Sequence, residues 1–177
     1  VDNKNILKEI FSKSPMLIAV HCEDEAIIQE NIKKAKQQYN EEVPISEHPK
    51  IRSAEACFKS SAMAVKLAKK YNTRLHVFHL STEKEIELFN NKTLLKNKRI
   101  TAEVCIHHLW FDENNYKEKG THIKWNPAIK KESDKKALFQ ALLDDKLDVI
   151  ATDHAPHTLE EKDNSYFKAP SGGPLIQ

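Results

Sequence analysis

The chain of 177 residues has only three glycines, and two of them, Gly172 and Gly173, sit together in its last loop. No low-complexity tract divides it and no internal repeat recurs, so composition marks no linker between domains. Its longest apolar run is far too short to span a bilayer, and no secretory leader is visible at the N-terminus. Three cysteines, Cys22, Cys57 and Cys105, are odd in number and lack CxxC spacing, which argues against a disulfide framework and for reduced thiols in the cytoplasm. The net charge is +2, and the lysines alternate with glutamates as they do on solvated helix faces. Basic stripes and stacking aromatics are both missing, so neither a nucleic-acid nor a membrane partner is expected.

What is present is a series of short apolar runs that end in metal-competent groups. Asp148 to Thr152 reads as a buried strand and ends in Asp153, His154 and, three residues on, His157. Met16 to Val20 ends in His21-Cys22-Glu23-Asp24, and Arg74 to Phe78 ends in His79. Ile100 to Ile106 ends in His107-His108. In parallel α/β proteins chemistry collects where strands end and loops begin. One such strand is weak, but four predicted strands with polar groups at the same end make a site.

Helical patterns separate the strands. Glu25 to Tyr39 places Ala26, Ile27, Ile28, Ile32 and Ala35 on one side, and Ser53 to Tyr71 repeats the pattern with Ala56, Cys57, Met63, Ala64, Leu67 and Ala68. Thr82 and Glu85 have capping-box spacing, Lys135 to Asp145 leads into the last strand, and Lys4 to Phe11 precedes the first. No two strands are joined by a two-residue turn, so the alternation predicts βα units with parallel strands. A closed barrel of such units needs eight strands and about 250 residues. Four strands and loop-like ends therefore predict part of a larger domain, incomplete at both ends.

Five segments carry a resemblance to dihydroorotases, in the metal-dependent amidohydrolase superfamily. They are Val20-His21-Cys22-Glu23-Asp24, Phe78-His79-Leu80-Ser81-Thr82, Ala102 to Leu109, Asn126-Pro127-Ala128-Ile129-Lys130 and Thr152-Asp153-His154-Ala155-Pro156-His157. They come in that family's order and span nearly the whole chain. The resemblance implies an α/β fold, a partial (β/α)8 TIM barrel, with residues 1–177 supplying parallel strands five to eight and their helices. It implies a zinc-dependent hydrolase of a cyclic amide that interconverts dihydroorotate and N-carbamoyl-L-aspartate in pyrimidine biosynthesis, and it suggests a homodimer.

The same resemblance assigns residues. His21 and His79 would bind the second zinc of a binuclear site. Asp153 would bind the first and act as the catalytic acid–base group. Asn126 and His157 would contact the small-molecule substrate, and the backbone from Ala169 to Gly173 would meet its ring and carboxylate. His107 and His108 fall at a structural turn of the family and stay outside the metal set. Cys22 and Cys105 flank site histidines but read better as small buried residues, and His48, His76 and His122 as packing or surface residues. The segment Ala155 to Gly173 is expected to be a mobile loop over the site.

Zinc suits imidazole and carboxylate donors, although manganese or cobalt could use comparable ligands. The family's His-x-His pair, its bridging ligand from the fourth strand (a carboxylated lysine in many members) and its substrate-gripping arginine have no counterpart here. The chain by itself is thus expected to supply half of the binuclear site at most, to be inactive alone, and to need the missing N-terminal half of the barrel as partner. A hydantoinase- or allantoinase-type enzyme is the nearest alternative. A non-catalytic scaffold relative is a third, against which the retained His21, His79 and Asp153 count.

Overall fold

The computed structural model describes residues 3–176, in which four parallel strands form one sheet in chain order. They are β1 (Ile18–Val20), β2 (Leu75–Val77), β3 (Ile100–Cys105) and β4 (Val149–Ala151). Ile18 lies opposite Leu75, Leu75 opposite Ile100, and Glu103 opposite Val149. Each strand is laid beside its predecessor after a crossover containing helix. That steady progression is the arc of a barrel, whereas a doubly wound sheet reverses its order.

The helices are α1 (Lys4–Lys13), α2 (Glu25–Tyr39), α3 (His48–Ile51), α4 (Ala54–Tyr71), α5 (Glu83–Ile86), α6 (Ile106–Trp110), α7 (Tyr116–Lys119), α8 (Glu132–Leu143) and α9 (Leu159–Lys162). Asn3, Asp24, Ser53 and Thr82 cap α1, α2, α4 and α5 by accepting from backbone N–H groups of the first turn. The predicted Thr82–Glu85 pairing extends further: the buried Glu85 carboxylate accepts from the Thr82 hydroxyl at 2.8 Å and from Ser61 at 2.6 Å. Strands are shorter than their apolar runs, and α8 begins three residues before the predicted start.

Period-two alternation decides what each face of the sheet carries. Leu75 and Val77 of β2, with Ala102 and Val104 of β3, bury against the helices together with Phe11, Ala68 and Leu138. His76 and Glu103, at the intervening positions, turn to the other face, which would line a barrel's interior. A second cluster of Ile28, Ala35, Val43, Ile51 and Ala56 receives Tyr166 from the terminal segment. A third gathers Tyr116, Ile123, Trp125 and Ile129 beneath the loop after β3. Among the described residues no helix is long and apolar enough to cross a membrane.

Candidate active site

His21 and His79 leave adjacent strands at the same end, and their rings meet edge to edge. His21 Nδ1 is 2.9 Å from His79 Nε2. On its far side the His21 ring presents Nε2 to the Glu23 carboxylate at 3.2 Å. A proton held there leaves the Nδ1 lone pair facing His79. Burial by itself would raise Glu23, but its bond to His21 and the charges of Arg52 and Lys130 hold it below the usual carboxylate range. Arg52 also binds the Glu23 carboxylate directly, so the imidazole rests on a buried carboxylate that is itself held.

His79 is 6% exposed, and its Nδ1 is buried without a hydrogen-bond partner. Burial, and next the neighbouring His21, push it below the ordinary imidazole value, while Asp153 pulls the other way. Its backbone has φ +34°, and Asp153, at the end of β4, has φ +49°. A non-glycine residue held in this region costs on the order of 1–3 kcal/mol, and such strain clusters at functional sites. Glu103, one strand over, accepts weakly from the His79 backbone N–H at 3.4 Å and more closely from His76 Nε2 at 2.9 Å. His76 also meets the Thr101 hydroxyl at 2.8 Å. His76 is therefore not a lone packing residue. It belongs to a polar layer that supports the turn carrying His79.

The expected substrate contacts form a second group, against the terminal segment. Asn126 is half-buried, with Oδ1 lacking a partner, and precedes Pro127 through a cis bond. His157 Nε2 lies 3.2 Å from the Ser171 carbonyl. Ala169 is buried, and its carbonyl accepts from the Lys124 ammonium at 2.6 Å. Gly173 accepts from Ala155 N–H, and a Cβ there would meet the Trp125 ring at 2.7 Å. The segment expected to be mobile is well anchored. Lys124 Nζ donates to the carbonyls of Tyr166 and Ala169, and Lys162 Nζ to those of Lys124, Pro170 and Gly172.

Three further residues gather at the end of β3. The ligand atoms of Cys105, His107 and His108 lie within 4.8 Å of one another, all buried. His107 stacks on Trp125 with centroids 4.5 Å apart, and so links the two residue groups. Sequence reading placed these histidines at a turn, and they do lie in the single turn of α6. Their mutual approach was not readable from spacing. Glu103 was missed too, although a glutamate inside an apolar strand was the available signal. His48 is fully buried and His122 is exposed beside Asp163, as packing and surface residues should be. A cavity of about 520 Å³ lies away from the site, beside Leu17, Arg74, Lys98 and Arg99.

The donor set suits a nitrogen- and oxygen-ligated cation. Two imidazole nitrogens face each other, one with its tautomer set by a buried carboxylate, and a third, His79 Nδ1, is buried without a partner on a ring that feels the charge of Asp153. Solved hydantoinases and a dihydroorotase share this architecture. A D-hydantoinase matches with a TM-score of 0.86 over 98% of this chain and 39% of its own, at 21% identity. The dihydroorotase of Saccharomyces cerevisiae, solved with 5-fluoroorotic acid, matches at 0.60 over 96% of this chain and 60% of its own, at 16% identity. The fold is thus that of a portion of the barrel these proteins share.

Sequence is more particular: the chain is similar to dihydroorotases over almost all its length. That of Methanosphaera stadtmanae is 32% identical over 176 residues, 97% of this chain and 39% of that protein. That of Staphylococcus epidermidis is 36% identical over 155 residues, 88% of this chain and 35% of that protein. No family model matches the chain. The chain spans less than two-fifths of the length of these curated relatives.

Proposed function

We propose that the chain is the second half, strands five to eight, of a dihydroorotase barrel. The parent enzyme would reversibly hydrolyse the cyclic amide of dihydroorotate to N-carbamoyl-L-aspartate, in the cytoplasm and with zinc. The observation that carries this reading is the facing pair His21 and His79 at neighbouring strand ends, with Glu23 fixing the first ring. Dihydroorotase relatives at 32% and 36% identity supply the substrate.

His21, His79 and Asp153 would hold the metal. Bound there, it would lower the pKa of a water molecule and polarise the amide carbonyl. Asp153 would take the proton from the attacking water and deliver it to the departing ring nitrogen, and its exposed position leaves it free to do so. Asn126 and His157 would orient the ring, with the backbone from Ala169 to Gly173 closing one side. The rest of the barrel would supply the other ligands and the group that binds the substrate carboxylate. A homodimer is the proposed assembly, and the 177 residues alone should turn over little or nothing.

The test is dihydroorotate turnover with zinc by the longest natural form of the protein. Turnover abolished by Asp153→Ala supports the reading. A folded, zinc-loaded and silent protein overturns it. A hydantoinase-type activity is the second reading, favoured by the TM-score of 0.86 to D-hydantoinase against 0.60 to the yeast dihydroorotase. Hydrolysis of dihydrouracil or hydantoin in preference to dihydroorotate would select it.

A further inference from the structure

We propose that Cys105, His107 and His108 form a separate binding site for a zinc-class divalent cation, distinct from the His21–His79 pair. The three ligand atoms come from a Cys-x-His-His run at a strand-to-helix turn. Cys105 is the last residue of β3 and the histidines lie in the one turn of α6. Turning the chain there brings all three ligand atoms within 4.8 Å of each other, and none of the residues is more than 3% exposed.

The polar atoms here are unusual in having nothing to bond. His107 Nδ1, His107 Nε2 and His108 Nδ1 are all buried without a partner, whereas buried polar atoms ordinarily have one. His108 Nε2, in contrast, meets the Pro127 carbonyl at 3.1 Å. That bond requires a proton on Nε2 and leaves the Nδ1 lone pair directed elsewhere. A ligating histidine typically has this arrangement, with the second nitrogen tied to a carbonyl. His107 is held by stacking on Trp125, and Trp125 and Pro127 follow each other closely in one loop. Burial keeps both imidazoles in their neutral, lone-pair-bearing form.

A thiolate and two imidazoles are borderline-soft donors and suit zinc, cobalt or cadmium better than magnesium or calcium. Binding would form one metal–sulfur and two metal–nitrogen bonds, and the Cys105 thiol proton would leave to solvent. Burial raises that thiol's pKa, as do the nearby Glu103 and Asp153 carboxylates. Those same carboxylates would balance the charge of the cation. A cation here would clip the end of β3 to the 125–127 loop, next to His79, whose charge His107 feels.

Cobalt(II) titration of the metal-free, full-length protein tests this, because only sulfur ligation gives a thiolate-to-cobalt charge-transfer band in the near ultraviolet. The proposed catalytic ligands contain no sulfur, so the band reads this site whether or not the enzyme turns over. The expected result is a band saturating at one equivalent per chain, lost in Cys105→Ser and kept in Cys22→Ser. His107→Gln, which leaves the thiol in place, should weaken cobalt binding at this band by at least about tenfold, and it decides the matter if Cys105→Ser does not fold. Absence of the band in the wild-type protein, or its survival in Cys105→Ser, overturns the proposal.

Discussion

The Tyr166 hydroxyl lies 2.9 Å from His48 Nδ1, although 118 residues separate the two in the chain. His48 Nε2 is 2.7 Å from the Trp125 carbonyl. Nε2 therefore carries the proton and donates, and Nδ1 accepts from the phenol. One buried imidazole thus joins the α3 region, the 125–127 loop and the terminal segment.

Tyr166→Phe should destabilise the fold by about 1–3 kcal/mol, because it removes the donor and leaves Nδ1 buried without a partner. Urea denaturation measures the loss. His48→Phe in the Tyr166→Phe background should not recover it, since that change also takes the donor away from the buried Trp125 carbonyl.

Burial pushes His48 down to about 3 from an ordinary value of 6.5. Between those values the unfolded chain binds a proton that the folded chain refuses. The contribution of His48 is complete above pH 6.5 and is lost progressively as pH falls toward 3, by up to about 1.4 kcal/mol per unit. The stability difference between wild type and His48→Gln should therefore shrink from pH 7 to pH 5. A difference independent of pH would count against the neutral, doubly bonded imidazole.

Glu23→Gln should weaken zinc binding by about 10–100-fold while leaving His21 and His79 in place. Competition against a chromophoric chelator reads the affinity. The effect arises because an amide can turn its NH2 toward the imidazole, so that the tautomer presenting Nδ1 to His79 is no longer enforced. Unchanged affinity would remove Glu23 from the metal site.

Gly172 has φ +123°, and a Cβ there would stand 2.6 Å from the Ala155 carbonyl oxygen and 2.7 Å from the Ala155 Cβ. Both the conformation and the space exclude a side chain. Gly172→Ala should cost about 1–3 kcal/mol and speed proteolysis within residues 155–173. Proteolysis at the wild-type rate would show that the two loops do not depend on this contact.

The strands were readable because each is a short apolar run closed by a polar group, and all four were found with their parallel order. Helix starts were readable where capping-box spacing or apolar periodicity marks them, as at Thr82 and in the patterns beginning at Glu25 and Ser53. The start of α8 was not, because its first turn has no apolar periodicity. Its position is set by Asp134 reaching back to the Lys131 N–H at 3.2 Å. His21 and His79 could be singled out since each ends a strand. Their partners could not, because Arg52 reaches Glu23 across 29 residues and Glu103 reaches His76 across 27. Those contacts depend on which strands and helices become neighbours, and local pattern does not contain that information.

Residues 166–172 contribute almost no regular secondary structure, yet four of their carbonyls converge on the ammonium groups of Lys124 and Lys162. These two side chains do for the terminal segment what a bound inorganic cation does for many irregular loops: they give inward-pointing oxygens a common positive centre. The centre is covalently part of the chain, so chelators and dialysis cannot remove it. Both ammonium groups are buried, so acylation reaches them only when the segment opens, and a lysine modified then could no longer draw its two or three carbonyls back together.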